Sequence, residues 1–149
     1  MISFEFLCPD SSTISTDTAE INALVRQLSS KPIENSPERV KRLVGSSHCV
    51  VARDTQANNC IVGMAFLSVK ETLSGQTGEV DDVVVDEAYR DLGIGHALME
   101  RLIARGRSLC LKHLDLTSKP ERLAANALYP KVGFERRQTN CYRLDLDSK

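Results

Sequence analysis

No charge of one sign dominates this chain. Its 149 residues carry 19 Lys and Arg against 20 Asp and Glu, a formal net charge of -1. Binding to a nucleic acid or a membrane surface through bulk electrostatics needs a basic excess, so neither is an expected partner. Long apolar runs are also missing, and none approaches the roughly 20 residues of a membrane-spanning helix. The stretch MISFEFLCPD has no basic lead and no long apolar core, so a secretory signal is not expected. No CxxC pair occurs among Cys8, Cys49, Cys60, Cys110 and Cys141, and their number is odd. That argues against a disulfide framework or a metal site and for a reducing, cytoplasmic setting. Repeats, low-complexity tracts and linkers are absent too. A content of 42% hydrophobic and 26% charged residues then leaves a soluble globular chain, expected as a single domain over residues 1–149.

What is present divides into short periodic segments. ISFEFL alternates as a strand does. DTAEINALVRQLSS has a helical stripe of Ile21, Leu24, Val25 and Leu28, with Asp17 and Glu20 at capping-box spacing. SPERVKRLVG predicts a short helix capped by Ser36, with Pro37 in its first turn and Gly45 at a left-handed C-terminal position. HCVVAR and CIVGMAFLSV flank the polar turn DTQANN and predict a hairpin. LSGQTG reads as a further turn and EVDDVVVD as the third strand of the meander. IGHALMERLIARGRS is a helix with Ile94, Ala97, Leu98 and Leu102 on one stripe. HLDLTS is a strand, and KPERLAANALYPKVG is a helix with Ser118 and Glu121 at capping-box spacing. FERRQTNCYRLDL predicts two closing strands. The order β-α-α-β-β-β-α-β-α-β-β implies one α/β domain on a mixed, mostly antiparallel sheet. Its parallel step runs from the valine strand through the Gly93 helix and is expected to be right-handed.

The passage VVVDEAYRDLGIGHALMERLI carries the strongest chemical signal. Glycines at a strand-to-helix turn leave backbone N–H groups and the positive end of the helix dipole open to an anion, above all phosphate. Arg90 adds charge-assisted donors. A tight turn with no ligand would also account for Gly93 and Gly95. Two other phosphate motifs fail here. The dinucleotide fingerprint needs a third glycine where Leu98 stands, and the nucleotide P-loop needs Lys and Ser or Thr where His96 and Ala97 stand.

RDLGIG fits the Arg/Gln-x-x-Gly-x-Gly/Ala signature of the GNAT superfamily of acetyl-CoA-dependent N-acetyltransferases, and NALYPKVGFERR resembles that family's second signature. The order of elements resembles the family's as well, over essentially the whole chain. The resemblance implies a single-domain GNAT fold with about six to seven strands and about four helices. It implies acetyl-CoA as cosubstrate and no metal. Arg90, Asp91, Leu92, Gly93, Ile94 and Gly95 would form the pyrophosphate loop. Val83, Val84 and Val85 would lend their backbone to the pantetheine arm, which adds like a strand. Asn126 matches the asparagine that bonds to the cofactor arm, and Tyr129 the tyrosine beside the thioester sulfur.

Acetyl transfer needs a proton for the departing thiolate and a base for the amine. A tyrosine with its usual pKa of about 10 is protonated at neutral pH and can serve as the acid, so Tyr129 is the expected donor. Glu79, Asp81 and Asp82 precede the valines, with Asp81 the expected base. Alternation puts Glu79 and Asp81 on one face and Asp82 on the other, unless a bulge shifts the phase. Pro130, next to Tyr129, is expected to bend or end its helix and to affect the aim of the hydroxyl. His96 is expected on the helix surface, and His48 and His113 as ordinary strand residues. The segment from Ser29 to Ser36 is expected to wall the acceptor side, which Ser118 could also face. A small-molecule amine is the expected acceptor, and a homodimer is compatible with these features. A protein or peptide N-acetyltransferase and a catalytically silent acetyl-CoA-binding module are the alternatives.

Overall fold

A computed structural model describes residues 1–147 of the chain. The first strand, β1 (Ile2–Phe6), leads into α1 (Ile14–Leu28) and α2 (Pro37–Ser46). A meander of β2 (His48–Asp54), β3 (Cys60–Thr72) and β4 (Gly75–Val85) follows. The order closes with α3 (Ile94–Ser108), β5 (Leu114–Asp115) and α4 (Leu123–Lys131). The strands lie side by side in sequence order, antiparallel up to β4, with β5 parallel to β4. A parallel neighbour requires a crossover, and α3 supplies it.

Helices cover both faces of the sheet, which is why the central strands are apolar without a break. Alternation sends Val50 and Ala52 of β2 toward Leu98, Met99 and Leu102 of α3. Cys49 and Val51 face Ile21 and Leu24 of α1 and Val40 and Val44 of α2 on the other side. The α3 side is also tied to β1 by cations over rings. The Arg101 and Arg105 guanidiniums sit 4.0 and 3.7 Å from the ring centres of Phe4 and Phe6.

Several local expectations change in context. Ser36 caps α2 by accepting from the Arg39 N–H at 3.2 Å, with Pro37 at the first position, as predicted. Gly45 lies inside α2 and is not in the left-handed region. Asp17 does not cap α1, which starts three residues earlier at Ile14. It is buried at 1% exposure and binds the Arg53 guanidinium through both oxygens, at 3.0 Å each. Glu20 accepts from the Ile61 N–H, which fastens α1 to β3. LSGQTG tightens to a turn at Leu73 and Ser74, because Gly75 already belongs to β4. Ser118 and Glu121 form no box: α4 starts at Leu123 without a side-chain cap.

The predicted closing strands are not formed, so the sheet has five strands among the described residues. Residues 134–147 have no regular structure, and Tyr142, Leu144 and Leu146 are 90%, 82% and 87% exposed. Their alternation is real, but a strand forms only against a neighbour's backbone. The strand expected from HLDLTS pairs for two residues alone and offers little ladder to extend.

Candidate active site

The site begins where β4 outruns its neighbour. β4 meets β5 only at Gly78 with Leu114 and Glu79 with Asp115. From Val80 to Val85 the edge of β4 on that side has no partner strand among the described residues. On the other side its pairing with β3 slips: Met64 faces Val84 while Phe66 faces Asp81, so β4 holds one extra residue. The surplus falls at Asp82, whose φ is +53°. This is a β-bulge, and aspartate tolerates the left-handed conformation better than most side chains.

The bulge cancels the simple alternation. Asp81 and Asp82 both line a cavity of about 380 Å³ with Arg39, Leu43, Ser46, Ser47, Phe66 and Ser68. Asp82 also reaches a neighbouring recess of about 210 Å³, walled by Ile21, Val25 and Met64 and by Ser29, Lys31, Pro32, Ile33 and Asn35. The α1–α2 connection thus forms a wall of this recess. Solvent reaches Asp82, yet burial among its neighbours pushes its carboxyl pKa up, and the Asp81 charge adds to the rise. Glu79 lies in the ladder opposite Ser68 and Asp115 and lines neither cavity.

On the opposite face, Val83 and Val85 join the core under α3 and α4, while Val84 packs under α1. Side chains hold two of the strand's carbonyls. Arg122 Nη2 donates to the Val83 carbonyl at 3.1 Å, and Arg90 Nε to the Val85 carbonyl at 3.1 Å. Tyr129 is 6% exposed and stacks edge-on against Phe134, with ring centres 6.0 Å apart. Pro130 does sit at the end of its helix, which stops at Lys131. Burial raises the Tyr129 pKa, and the Arg122 charge and hydrogen bond partly oppose that. The Asn126 amide nitrogen donates to the Lys119 and Pro120 carbonyls at 2.8 and 3.4 Å.

At the far end of the cleft, Asp91 (φ +63°) and Gly93 (φ +78°) turn the chain into α3, whose N-terminus no side chain caps. Its first N–H groups are left for an anion. The two glycines have different causes. A Cβ on Gly93 would meet nothing within 4 Å, so that side is open to an approaching group. A Cβ on Gly95 would lie 3.2 Å from Leu128 Cδ2, so Gly95 lets α4 pack closely. His96 lies on the helix surface, 3.7 Å from Glu100. His48 is tied to Arg105 at 2.8 Å.

Sequence reading passed over Arg122 and Arg39. Arg122 precedes Tyr129 by seven residues, two helical turns, and that spacing is the one signal that could have joined them. Nothing in the sequence connects Arg39 to the acids of β4. The residues present fit a ligand with an anionic head and an amide-bearing arm. Among the described residues, the helix N-terminus is uncapped, the β4 edge beyond Glu79 is unpaired, and the Ser118 hydroxyl is buried without a hydrogen-bond partner.

An open strand edge beside an uncapped Gly-x-Gly helix start sets an anion site next to a backbone edge. This chain belongs to the acetyltransferase (GNAT) family, whose match covers residues 18–134. Glucosamine 6-phosphate N-acetyltransferase 1 of Oryza sativa subsp. japonica is 34% identical over 121 residues, which is 74% of this chain and 70% of the relative. An acetyltransferase of Trypanosoma brucei, known from a crystal structure, superposes with a TM-score of 0.75 at 27% identity, covering 98% of this chain and all 100% of the other. A predicted acetyltransferase of Clostridium acetobutylicum, crystallised with acetyl-CoA, shares the fold with a TM-score of 0.75 at 16% identity over 98% and 97% of the two chains. No helix among the described residues is long and apolar enough to cross a membrane.

Proposed function

We infer that this chain moves an acetyl group from acetyl-CoA to the primary amine of a small-molecule acceptor, by direct attack in a ternary complex. One observation carries the reading: the open edge of β4 and the acidic cavity meet at the same bulge, Asp82–Val83. A donor arm along the edge and an amine in the cavity would therefore converge. Gly93, Ile94 and their neighbours in the Arg90–Gly95 loop would hold the pyrophosphate, and Val83 to Val85 the arm. Bound there, acetyl-CoA supplies an electrophilic thioester carbonyl.

Asp82 is the better candidate for the base than Asp81. It lines both cavities, and a carboxylate whose pKa is raised is a stronger base for an amine proton. Asp81 then acts on Asp82 through its charge. Asp81→Asn removes that charge and should move the acid limb of the kcat/KM profile to lower pH, because Asp82 then ionises more easily. A limb that stays in place would separate Asp82 from the limb.

Tyr129 would return the proton to sulfur. Burial keeps its hydroxyl protonated at neutral pH. Tyr129→Phe should lower kcat by about a hundredfold and change the affinity for coenzyme A by less than about twofold, since only a transition-state proton is lost. An unchanged kcat removes it as the acid.

The rice relative is named for glucosamine 6-phosphate, which carries both an amine and a phosphate. Here Arg39 shares a cavity with Asp81 and Asp82, so charges of both signs face such a molecule. The deciding experiment is thiol release from acetyl-CoA over a panel led by glucosamine 6-phosphate, with other amines, peptide N-termini and lysyl peptides as further arms. Release with peptides alone would favour the protein acetyltransferase. Coenzyme A binding with no release on any arm would favour the silent module.

A further inference from the structure

Arg122 has no part in the reading above, yet it stands between two groups that do. It occupies the position before α4, is half-buried, and donates to the Val83 carbonyl at 3.1 Å. Two turns further on, Tyr129 is buried against Phe134 and packs in the same core as Val83. The Arg122 charge opposes the rise that burial gives the Tyr129 pKa. A guanidinium has five N–H donors in a rigid fork, enough to hold a carbonyl and a phenol oxygen together. No carboxylate accepts from Arg122 among the described residues, so its charge is not spent on an ion pair.

We propose that Arg122 is a positioning residue for the acid: anchored on the Val83 carbonyl, its guanidinium fixes the Tyr129 hydroxyl at the free edge of β4 and stabilises the phenolate left when that hydroxyl gives up its proton. The inference rests on the acetyl-transfer reading for its chemistry. As the amine nitrogen bonds to the acetyl carbon, the carbon–sulfur bond breaks and its electron pair stays on sulfur. The Tyr129 O–H bond breaks with its pair kept on oxygen, and the proton passes to sulfur. The amine's surplus proton goes to Asp82 and from there to solvent, and the phenolate regains a proton from solvent, so charge and atoms balance. A buried phenolate with no cation beside it is the costly species in that sequence. Arg122 lowers the cost without touching the acetyl group.

The same contact implies a second consequence. An arm that adds along β4 as a strand uses edge carbonyls, and the Val83 carbonyl already accepts one bond from Arg122. Its second lone pair stays open to the donor, so Arg122 keeps its anchor and is not needed for donor binding.

The test begins without substrate. The chain has three tyrosines, so ring-labelled NMR resolves Tyr129 once Tyr129→Phe has identified its signal. In Arg122→Gln the Tyr129 signal should titrate at higher pH than in the wild type, and in Arg122→Lys it should return most of the way. An unmoved titration in Arg122→Gln overturns the proposal, whatever the fate of the acetyl-transfer reading. With a competent acceptor, kcat of Arg122→Gln should fall about tenfold or more and recover in part with Lys. Calorimetry should find coenzyme A binding unchanged in Arg122→Gln. Binding weakened as much as kcat would make Arg122 a ligand of the donor and also overturn the proposal. If wild-type protein acetylates no amine, the transfer reading fails alone, because the titration still decides whether Arg122 governs Tyr129.

Discussion

Gly93→Val is expected to weaken coenzyme A binding by more than about a hundredfold, or about 2.8 kcal/mol, in calorimetry. Two physical effects combine. The backbone at Gly93 has φ +78°, a conformation in which a β-branched side chain is strained. The side on which a Cβ would stand is open, with nothing within 4 Å, at the uncapped start of α3. The new side chain therefore meets the ligand before it meets the protein. Gly93→Asn separates the two effects, because asparagine adopts left-handed backbone at low cost. If Gly93→Asn also loses binding, clearance is what the glycine provides. If it binds normally while valine does not, backbone conformation is the requirement. Unchanged affinity in Gly93→Val would end the assignment of the loop to pyrophosphate. Gly95→Ala belongs to a different experiment. Its Cβ would press on Leu128, so its effect should appear in stability before it appears in binding.

Asp17→Ala should destabilise the fold by about 3–5 kcal/mol in urea denaturation. Domains of this kind have only about 5–15 kcal/mol in total, so the change is a large share. The reason is Arg53, which is 6% exposed and therefore cannot be hydrated if its partner is removed. Its guanidinium is held by both oxygens of Asp17, by Glu5 and by the Asn59 carbonyl. Glu5 is half exposed and belongs to the edge strand, so it neutralises less of the charge than Asp17 does. Thr13 donates to Asp17 at 2.8 Å and loses its acceptor as well. The double substitution Asp17→Ala with Arg53→Met removes the stranded charge and should cost less than Asp17→Ala alone. A single-variant loss below about 1 kcal/mol would show that Glu5 and water suffice to hold Arg53.

These two predictions differ in how far each could be read without a structure. The glycine loop before α3 is a local device. A strand, an arginine, two glycines and a helical stripe follow one another within about two dozen residues, and each acts on its immediate neighbours. Ser36 at the start of α2, the polar turn between β2 and β3 and the α3 stripe are legible for the same reason. Asp17 shows the opposite case. Its spacing to Glu20 satisfies a capping rule, but its actual partner lies 36 residues away across the sheet. No local pattern announces that pairing, and the buried guanidinium outweighs a cap worth about 1 kcal/mol.

The site divides along the same line. By itself the sequence determined the family fold, the glycine turn before α3, the valine strand and the tyrosine near the end of α4. Each depends on residue type and short spacing. Tertiary structure decided the rest. The slipped register between β3 and β4 brought Asp82 to the cavity beside Asp81, because one extra residue changes which side every later residue faces. The parting of β4 and β5 after two pairs exposed the Val83 carbonyl, and the approach of α4 set Arg122 on it and assigned Gly95 to packing. It also left the alternating tail without a strand to join. In each case the outcome depends on which backbone lies alongside, and that neighbour is chosen by the whole fold.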